Sequence, residues 1–265
     1  MKLTGKVFAV TGGGNGIGGQ VVLGLLAGGA RVAALDLDAV ALAEIARQAG
    51  AGDRLTTHVV DITDRPAVLA LPDAVVAAHG QVDGLINVAG IVHDFKPVSR
   101  LAFEDIERVM AVNFWGTVNT SKAFLPVLAA RPESALVNVS SMGSLVPFPG
   151  QSAYGASKAA VKLFTEGLIA EHQGAQPRVS IVFPGGIATA ILANSGVTRA
   201  GADDPAAAAR LTSPQEAARQ IIDAVVTGRT RVTIGRDAWL LDRLARLMPV
   251  RAIPMIAAKM RDLTR

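Results

Sequence analysis

Lys6-Val7-Phe8-Ala9-Val10, followed directly by Thr11-Gly12-Gly13-Gly14-Asn15-Gly16-Ile17-Gly18, decides the fold class of this chain. The first segment is a short apolar run of strand-forming residues. The second is rich in glycine and leads into the apolar stretch 19–27, which is long enough for a helix. A strand, a glycine-rich turn and a helix in immediate succession are typical of a dinucleotide-binding turn.

The glycines of this turn can be read in two registers. A G-x-G-x-x-G match runs from Gly14 to Gly19, whereas the spacing Gly12-x-x-x-Gly16-x-Gly18 places the turn directly after the strand. We favour the second register. Without side chains, backbone N–H groups can approach a pyrophosphate, and the helix N-terminus adds positive potential. The alternative is a flexible glycine-rich loop that binds no ligand.

An acidic residue ends the next apolar run. The run 31–35 predicts the second strand, and Asp36 follows it about 20 residues after the glycines. A carboxylate at this position accepts hydrogen bonds from the adenosine ribose. It also repels the additional phosphate of NADP, and neither Asn15 nor Leu37 supplies a compensating positive charge. The sequence therefore predicts NAD as the cofactor, and Asp38 as the cap of the following helix.

Tyr154 and Lys158 are four residues apart and therefore project from the same face of a helix. A free phenol titrates at about pH 10 and exchanges protons poorly at neutral pH. A neighbouring ammonium group favours the phenolate and lowers the pKa of the phenol. The pair is thus a candidate acid–base device acting on an oxygen atom, the alternative being an ordinary helix surface.

Together these residues resemble the short-chain dehydrogenase/reductase family in its shorter, single-domain form. The resemblance covers 3–234, and its motifs occur in the order and at the spacing of the family. The matching positions are Thr11–Gly18, Asp61 with Ile62, Asn87-Val88-Ala89-Gly90, Asn113, Ser141, Tyr154, Lys158, Pro184-Gly185 and Thr189. Val88 replaces the second Asn of the family's N-N-A-G motif. The family's spacing of thirteen residues before the Tyr selects Ser141 rather than Ser140.

The resemblance implies a site divided between catalysis and cofactor binding. The residues that it assigns to catalysis are Asn113, Ser141, Tyr154 and Lys158. Those that it assigns to the cofactor are Gly12, Asn15, Gly16, Ile17, Gly18, Asp36, Asp61, Ile62, Asn87, Ala89, Gly90, Tyr154, Lys158, Pro184, Gly185, Ile187 and Thr189. It also implies a homodimer or homotetramer, with the long helices in 102–130 and 152–172 at a dimer interface.

In the family, a hydride moves between the nicotinamide C4 and a carbinol carbon. The resemblance implies that Tyr154 removes the hydroxyl proton in oxidation and supplies it in reduction. Lys158 would lower the pKa of Tyr154 and hold the nicotinamide ribose, and Ser141 would donate a hydrogen bond to the substrate oxygen. Asn113 would interrupt a regular helix and hold a water on a proton path from Lys158 to solvent.

Alternating apolar strands and amphipathic helices predict a Rossmann-type α/β fold, a doubly wound parallel sheet of about seven strands with helices on both faces. The strands are expected at 6–11, 31–36, 55–60, 84–88, 134–140, 178–183 and 230–234. A chain of 265 residues can form one such domain with a full core. We expect 1–235 to form the NAD-binding catalytic domain and 236–265 to form a helical extension of it.

The composition argues against several other classes of protein. The chain has no Cys, and its four His lack the spacing of metal ligands, so we expect no disulfide and no metal. His93 is expected on a surface loop, and the alternative is a place near the cofactor, because His93 follows Ala89-Gly90 closely. Lys2 leads directly into the first strand without a secretory signal, and no run of about eighteen apolar residues predicts a transmembrane helix. A cytoplasmic protein is the resulting expectation.

Positive charge is concentrated near the end of the chain. The net charge is +4, and 229–265 contributes +6 from nine Lys/Arg and three Asp/Glu. Nucleic-acid binding is not expected, because no reading motif or stacking aromatics accompany this charge. Apolar residues recur there at helical spacing, interrupted by Pro249 and Pro254. We expect a helix packed on its own domain or on a neighbouring subunit, and a basic amphipathic element in peripheral contact with anionic lipid is the alternative.

Two loops are expected to shape the substrate pocket. The loop 142–148 is mostly apolar, and a lid is expected in 189–211. A hydrophobic secondary alcohol or ketone is therefore the expected small-molecule substrate. One alternative is a nucleotide-sugar epimerase or dehydratase, against which the short segment after Pro184 argues. Another is a non-enzymatic NAD-sensing protein, against which the retained Ser, Tyr and Lys argue.

Overall fold

The computed structural model of the protein describes residues 1–189, 191–195, 197 and 211–259, without the side chains of Leu192 and Ala193. Most of the lid expected in 189–211 therefore lies outside the described residues.

A parallel sheet forms the centre of the molecule. Its strands are β1 (Val7–Thr11), β2 (Arg31–Asp36), β3 (Leu55–Val59), β4 (Gly84–Asn87), β5 (Ala135–Val139), β6 (Arg178–Pro184) and β7 (Arg231–Ile234). They are ordered β3-β2-β1-β4-β5-β6-β7, and each neighbouring pair is parallel. All seven predicted strands are present within one residue of their predicted bounds. The predicted Rossmann-type fold is thereby confirmed.

Helices connect the strands and cover both faces of the sheet. They are α1 (Gly16–Ala27), α2 (Ala39–Ala49), α3 (Arg65–His79), α4 (Phe103–Met110), α5 (Gly116–Ala129), α6 (Ser152–Glu171), α7 (Ile191–Asn194), α8 (Pro214–Thr227), α9 (Arg236–Leu247) and α10 (Pro249–Lys259). A π-helical turn, Ala111–Trp115, joins α4 to α5. A 3-10 turn, Met142–Ser144, follows β5.

The two prolines near the end of the chain have different effects. Pro249 separates α9 from α10, as predicted, because it occupies the first position of α10, where the missing N–H has no helical partner. The prediction that Pro254 also interrupts the helix is wrong, since α10 continues through it. Pro254 is exposed, so water can bond to the carbonyl that its ring leaves without an amide partner.

The core lies on both faces of the sheet. Side chains alternate along a strand, so Val7 and Ala9 face one side and Phe8 and Val10 the other. All four are buried. Phe8 and Val10 belong to a cluster with α1 and α8, whereas Val7 and Ala9 belong to a cluster with α3 and α5. Burial on both faces is the property that makes the strands of a parallel sheet continuous apolar runs.

The strand order reverses between β1 and β4, and ligands of open α/β sheets bind beyond the carboxyl ends of the strands at such a point. The ends of these two strands are tied together. The Thr11 hydroxyl oxygen accepts hydrogen bonds from the backbone N–H groups of Val88 and Ala89 at 3.1 and 3.2 Å. This contact fixes the floor of the cleft that opens above it.

Candidate active site

The glycine turn after β1 has positions that require glycine. Gly12 and Gly16 have φ angles of +66° and +55°, which disfavour residues with a side chain. A Cβ atom on Gly18 would lie 2.0 Å from the carbonyl oxygen of Gly12. All three glycines of the favoured register are therefore needed where the turn meets the start of α1.

Helix α1 begins at the cleft without a side-chain cap. Asn15 occupies the N-cap position, but its Oδ1 accepts a hydrogen bond from Asn194 Nδ2 at 2.9 Å instead of capping the helix. The first turn carries no acidic residue. Because the first amides of a helix lack intrahelical partners, this end suits an anionic group such as a pyrophosphate.

Asp36 lies at the carboxyl end of β2. Its Oδ2 accepts a hydrogen bond from the backbone N–H of Gly14 at 2.9 Å, and its Oδ1 accepts one from Asp38 N at 3.1 Å. Asp38 in turn caps α2 by accepting bonds from Val40 N and Ala41 N, as predicted. No Lys or Arg of the described residues lines the cleft. The charged side chains that line the cleft are therefore all carboxylates, those of Asp36, Asp38 and Asp61.

The cleft brings together most of the predicted cofactor residues. Those that line it are Gly12, Asn15, Gly16, Ile17, Gly18, Asp36, Asp61, Ile62, Ala89, Gly90 and Thr189. Residues that the sequence did not single out for the cofactor also line it: Leu35, Leu37, Asp38, Val60, Val88, Ile91, Val112, Ile191 and Asn194. Apolar walls with a few polar groups are typical of cofactor sites.

The other predicted cofactor residues do not line this cleft. They are Asn87, Tyr154, Lys158, Pro184, Gly185 and Ile187. Asn87 is buried, and its Nδ2 donates hydrogen bonds to Asn138 Oδ1 at 2.9 Å and to Ser121 Oγ at 3.2 Å. Its side chain therefore joins β4 to β5 and α5 beneath the cleft.

Lys158 extends from α6 to the inner end of the cleft. The side chain is buried, and Nζ donates a hydrogen bond to the carbonyl oxygen of Val139 at 3.1 Å. A Cβ atom on Gly90 would lie 3.0 Å from this Nζ, so the ammonium is adjacent to a residue of the cleft wall. Burial lowers the pKa of Lys158 to about 8, because it disfavours the charged form.

Tyr154 lies one helical turn before Lys158, and its hydroxyl forms a hydrogen bond with Ser141. Burial of the hydroxyl raises the pKa of Tyr154, and the bond to Ser141 lowers it by less. The expectation that Lys158 lowers this pKa is therefore not met in the protein alone. The reason is that desolvation disfavours the phenolate more strongly than its neighbours favour it.

The predicted interruption of a helix at Asn113 is confirmed, because this residue lies in the π-helical turn between α4 and α5. Its Nδ2 donates to Ile91 O at 2.9 Å and to Ser157 Oγ at 3.0 Å. Its Oδ1 accepts from Ile91 N at 2.8 Å. The Asn113 side chain thus holds the turn after β4 against α6, which carries Tyr154 and Lys158.

The prediction that His93 lies on a surface loop is wrong, since it is fully buried. Its Nε2 accepts a hydrogen bond from Tyr154 N at 3.3 Å, so Nδ1 carries the proton and donates to Asp94 O at 2.7 Å. Gln151 Nε2 donates to the carbonyl oxygen of His93 at 2.7 Å. Both contacts fix the first turn of α6, and the proximity of His93 to Ala89-Gly90 was the one sequence signal for them.

Asp237 was not identified from the sequence. Its Oδ2 accepts a hydrogen bond from Gly186 N at 2.7 Å. A Cβ atom on Gly185 would lie 2.1 Å from Asp237 Oδ1, so the turn after β6 closes around this carboxylate. Through Asp237, the start of α9 determines the position of a turn that the sequence assigned to the cofactor.

The fold and the site define a Rossmann-type protein in which the cleft wall at Gly90 is adjacent to Lys158 of a Ser–Tyr–Lys group. The chain belongs to the short chain dehydrogenase family, because the model of that family matches residues 6–200. It is therefore an oxidoreductase of the short-chain type, as the sequence motifs indicated.

Individual relatives agree with this membership. The chain is 42% identical to SadH of Mycobacterium tuberculosis, a protein whose name places it among the oxidoreductases, over 92% of this chain and 91% of SadH. It matches a short chain dehydrogenase of Burkholderia cenocepacia, solved in complex with NADP, at 28% identity and a TM-score of 0.80 over 98% and 99% of the two chains. A Burkholderia phymatum short chain dehydrogenase/reductase in complex with NAD has the same fold, with 24% identity and a TM-score of 0.84 over 96% and 97% of the two chains.

Two further properties concern the part of the chain that the structure describes. Its helices include none whose length and apolar character would allow it to cross a bilayer. Its His, Asp and Glu residues form no group of three or more that could hold a metal ion.

Proposed function

We propose that the protein interconverts a secondary alcohol and a ketone with NAD as hydride acceptor or donor. The observation that carries this proposal is the hydrogen-bonded Ser141–Tyr154 pair on the same side of the fold as Lys158, which reaches the wall of the cleft at Gly90. An exchangeable proton and a cofactor cleft are the two components that alcohol oxidation requires.

The residues that line the cleft support NAD as the cofactor. NAD, when bound, supplies the hydride chemistry at its nicotinamide. The uncapped first turn of α1 would hold the pyrophosphate. Asp36 would accept hydrogen bonds from the adenosine ribose, with Asp61 and Ile62 beside the adenine. Lys158 would donate to the nicotinamide ribose.

Tyr154 would exchange the substrate proton, and Ser141 would orient the substrate oxygen. In oxidation, the phenolate takes the proton of the alcohol hydroxyl while the carbinol hydrogen leaves as hydride. In reduction, the phenol donates its proton to the developing alkoxide. Ser141 Oγ accepts a hydrogen bond from Gly143 N at 3.1 Å, so its own proton can turn from Tyr154 to the substrate oxygen when substrate binds.

Lys158 is suited to returning the proton to solvent. Its pKa of about 8 lies close to neutrality, so it can hold or release a proton at a small energetic cost. The π-helical turn at Asn113 interrupts the regular helix, and a water of the proton path would be held at this interruption. The polar groups of that path would therefore run from Tyr154 through Lys158 to the turn around Asn113.

The walls beyond Ser141 favour an apolar substrate. Val146 forms an apolar cluster with Ala252 and Ile256 of α10. The partly buried side chains packed against this cluster are Leu145, Phe148, Leu241, Leu244 and Ala245. The segment that follows Ser141 and the C-terminal helices thus present hydrocarbon side chains near the reacting end of the cleft.

A panel of alcohols and ketones with NAD(H) tests this function. We expect apolar secondary alcohols to reduce NAD with one NADH formed for each ketone, as measured by NADH absorbance and product analysis. We expect short polar alcohols to react at least about tenfold more slowly, because they bury less hydrocarbon. An epimerase-like or NAD-sensing protein would release no stoichiometric NADH with any substrate of the panel.

We expect tighter binding of NAD than of NADP, by at least about tenfold, because Asp36 meets the additional phosphate with like charge. The double variant Asp36→Ser/Leu37→Arg is expected to reverse this preference. Isothermal titration with both nucleotides measures it. Asp61→Asn is the matched control, since it removes a carboxylate at the adenine and should weaken both nucleotides by a similar factor. Equal affinity of the unmodified protein for NAD and NADP would contradict the assignment.

We further propose a homodimer or homotetramer in the cytoplasm. The support for assembly is a group of exposed apolar side chains on the helices that the sequence assigned to a subunit interface. These are Phe103 on α4, Trp115 in the π-helical turn and Leu163 on α6. Apolar side chains of this size are normally covered in the assembled form of a protein. Light scattering of the purified enzyme measures the number of subunits.

A further inference from the structure

The C-terminal helix pair, defined here as α9 and α10 (236–259), exposes an unusual amount of apolar surface. The described residues include 18 exposed large hydrophobic side chains, and seven of these lie within this pair. The seven are Trp239, Leu240, Leu247, Met248, Val250, Ile253 and Met255. Val250 and Leu247 are 77% and 78% exposed. Packing on the catalytic domain therefore does not account for this face.

The opposite face of the same helices is the one that packs on the domain. Ala238, Ala252 and Ile256 are buried, and the last two contact Val146. Arg231 on β7 bonds to Asp242 at 2.8 Å and fixes α9 to the sheet. Each helix thus has an attached inner face and a free outer face, and the outer face is held in a defined position.

Basic side chains accompany the free apolar ones. Helical spacing puts Arg243 on the same stripe as Leu240 and Leu247, and puts Arg251 on the same stripe as Met255 and Lys259. The two acidic residues of the pair are both engaged inward, since Asp237 bonds to Gly186 N and Asp242 pairs with Arg231 and Arg246. The outward charge of the helix pair is therefore positive.

We propose that the C-terminal helix pair docks on a membrane surface that contains anionic lipid. Exposed aromatic and aliphatic side chains enter the headgroup–acyl boundary, and arginine and lysine pair with lipid phosphates and carboxylates. A second copy of the chain fits this face less well. A two-fold contact would set the same basic stripes against each other, whereas an anionic surface complements them.

Docking would bring the reacting end of the cleft close to the lipid. The inner face of the helix pair contacts the segment 145–148, which follows Ser141. An apolar substrate dissolved in the bilayer would thus reach the site with a short path through water. This consequence depends on the proposed function, but the docking itself does not.

The test is co-sedimentation of the full-length protein with vesicles. We expect binding to phosphatidylcholine vesicles that contain about 30% phosphatidylserine, weaker binding to pure phosphatidylcholine, and a loss of the difference at high salt. Arg251→Glu/Lys259→Glu should lower the partition coefficient on the anionic vesicles by at least about tenfold. Val250→Glu/Ile253→Glu should lower it on both kinds of vesicle, by at least about tenfold.

The matched control is Val40→Glu/Leu69→Glu. These two side chains, on α2 and α3, are 79% and 55% exposed, against 77% and 50% for Val250 and Ile253. The control changes the net charge by the same amount and should leave vesicle binding unchanged. NAD titration of every variant checks that the fold is intact and keeps the result separate from the proposed catalysis.

Three results would overturn the proposal. The first is no binding of the unmodified protein to either kind of vesicle, and the second is an equal loss of binding in the control and the helix-pair variants. The third is a fall in molecular mass of Val250→Glu/Ile253→Glu by light scattering without vesicles, which would identify this face as a contact between subunits. If Val250→Glu/Ile253→Glu fails to fold, the Arg251→Glu/Lys259→Glu variant still tests the proposal.

Discussion

Tyr154→Phe is expected to lower kcat by about 10³-fold while NADH binding changes by less than about threefold. The phenyl ring fills the same volume, so packing is retained, but no group remains to exchange the substrate proton. Steady-state kinetics and a titration of NADH fluorescence measure the two effects. Tyr154 is the one Tyr of the chain, so no other phenol can replace it. Activity within tenfold of the unmodified enzyme would remove Tyr154 from the mechanism.

The raised pKa of Tyr154 gives this prediction a second readout. Because burial keeps the phenol protonated around neutral pH, alcohol oxidation should accelerate as the pH rises, and ketone reduction should slow.

Ser141→Ala should also reduce kcat. Ser140→Ala is the comparison, since Ser140 Oγ donates a hydrogen bond to Lys158 O at 2.8 Å and lies on the neighbouring position of the chain. Ser140→Ala should make the protein less stable, but the pH dependence of its turnover should stay the same.

Lys158→Met is expected to stabilise the protein by about 2 kcal/mol at pH 7 while removing most of its activity. The pKa of Lys158 is about 8 in the fold, against about 10.5 in the unfolded chain. At pH 7 the folded protein therefore contains a charged Lys158 ammonium group, and burial makes this charged form unfavourable. Met occupies a similar volume without that cost, although the bond from Nζ to Val139 O is lost.

The sign of the pH effect distinguishes this cause from general repacking. Between pH 8 and about 10.5, the unfolded chain binds more protons at this group than the fold does, so its contribution to stability rises with pH. The advantage of Lys158→Met should therefore shrink over this range. Urea denaturation at several pH values measures it. An unchanged advantage across the range would contradict the buried-charge explanation.

Lys162→Met is the control for this experiment. Lys162 lies one helical turn after Lys158 and pairs with Glu166 at 2.8 Å on a partly exposed face. Exposed pairs of this kind contribute about 0.5 kcal/mol, so the variant should change stability little and keep its activity. A variant at Lys158 that is less stable than the unmodified protein at pH 7 would show that the Val139 contact outweighs the cost of burial.

The nucleotide half of the site could be predicted because its determinants are local. Gly12, Gly16 and Gly18 follow β1 directly, and their conformations are set by contacts within the same turn. Asp36 ends the next strand, so its place at the cleft follows from the parallel topology alone. Alternating strands and helices leave few topologies open, and the observed strand order is the one typical of such patterns.

The positions of the predicted catalytic residues depend on contacts between distant parts of the chain. His93 reaches the backbone of Tyr154 across 61 residues, and Asp237 reaches Gly186 across 51. No periodicity or spacing encodes such a pair, because each partner satisfies its own local pattern without the other. The burial of Asn87 could likewise not be predicted from the sequence, because its hydrogen-bond partners come together only when β4, β5 and α5 pack.

The sequence by itself predicted the seven strands of the parallel sheet, the glycine turn after β1 and the place of Asp36 at the cleft, because spacing along the chain fixes each of them. The tertiary structure alone decided the proton affinities of Tyr154 and Lys158, since these depend on how completely the packed domain excludes water from each group. It also decided which face of the C-terminal helices is free, because only packing on the sheet distinguishes the two apolar sides.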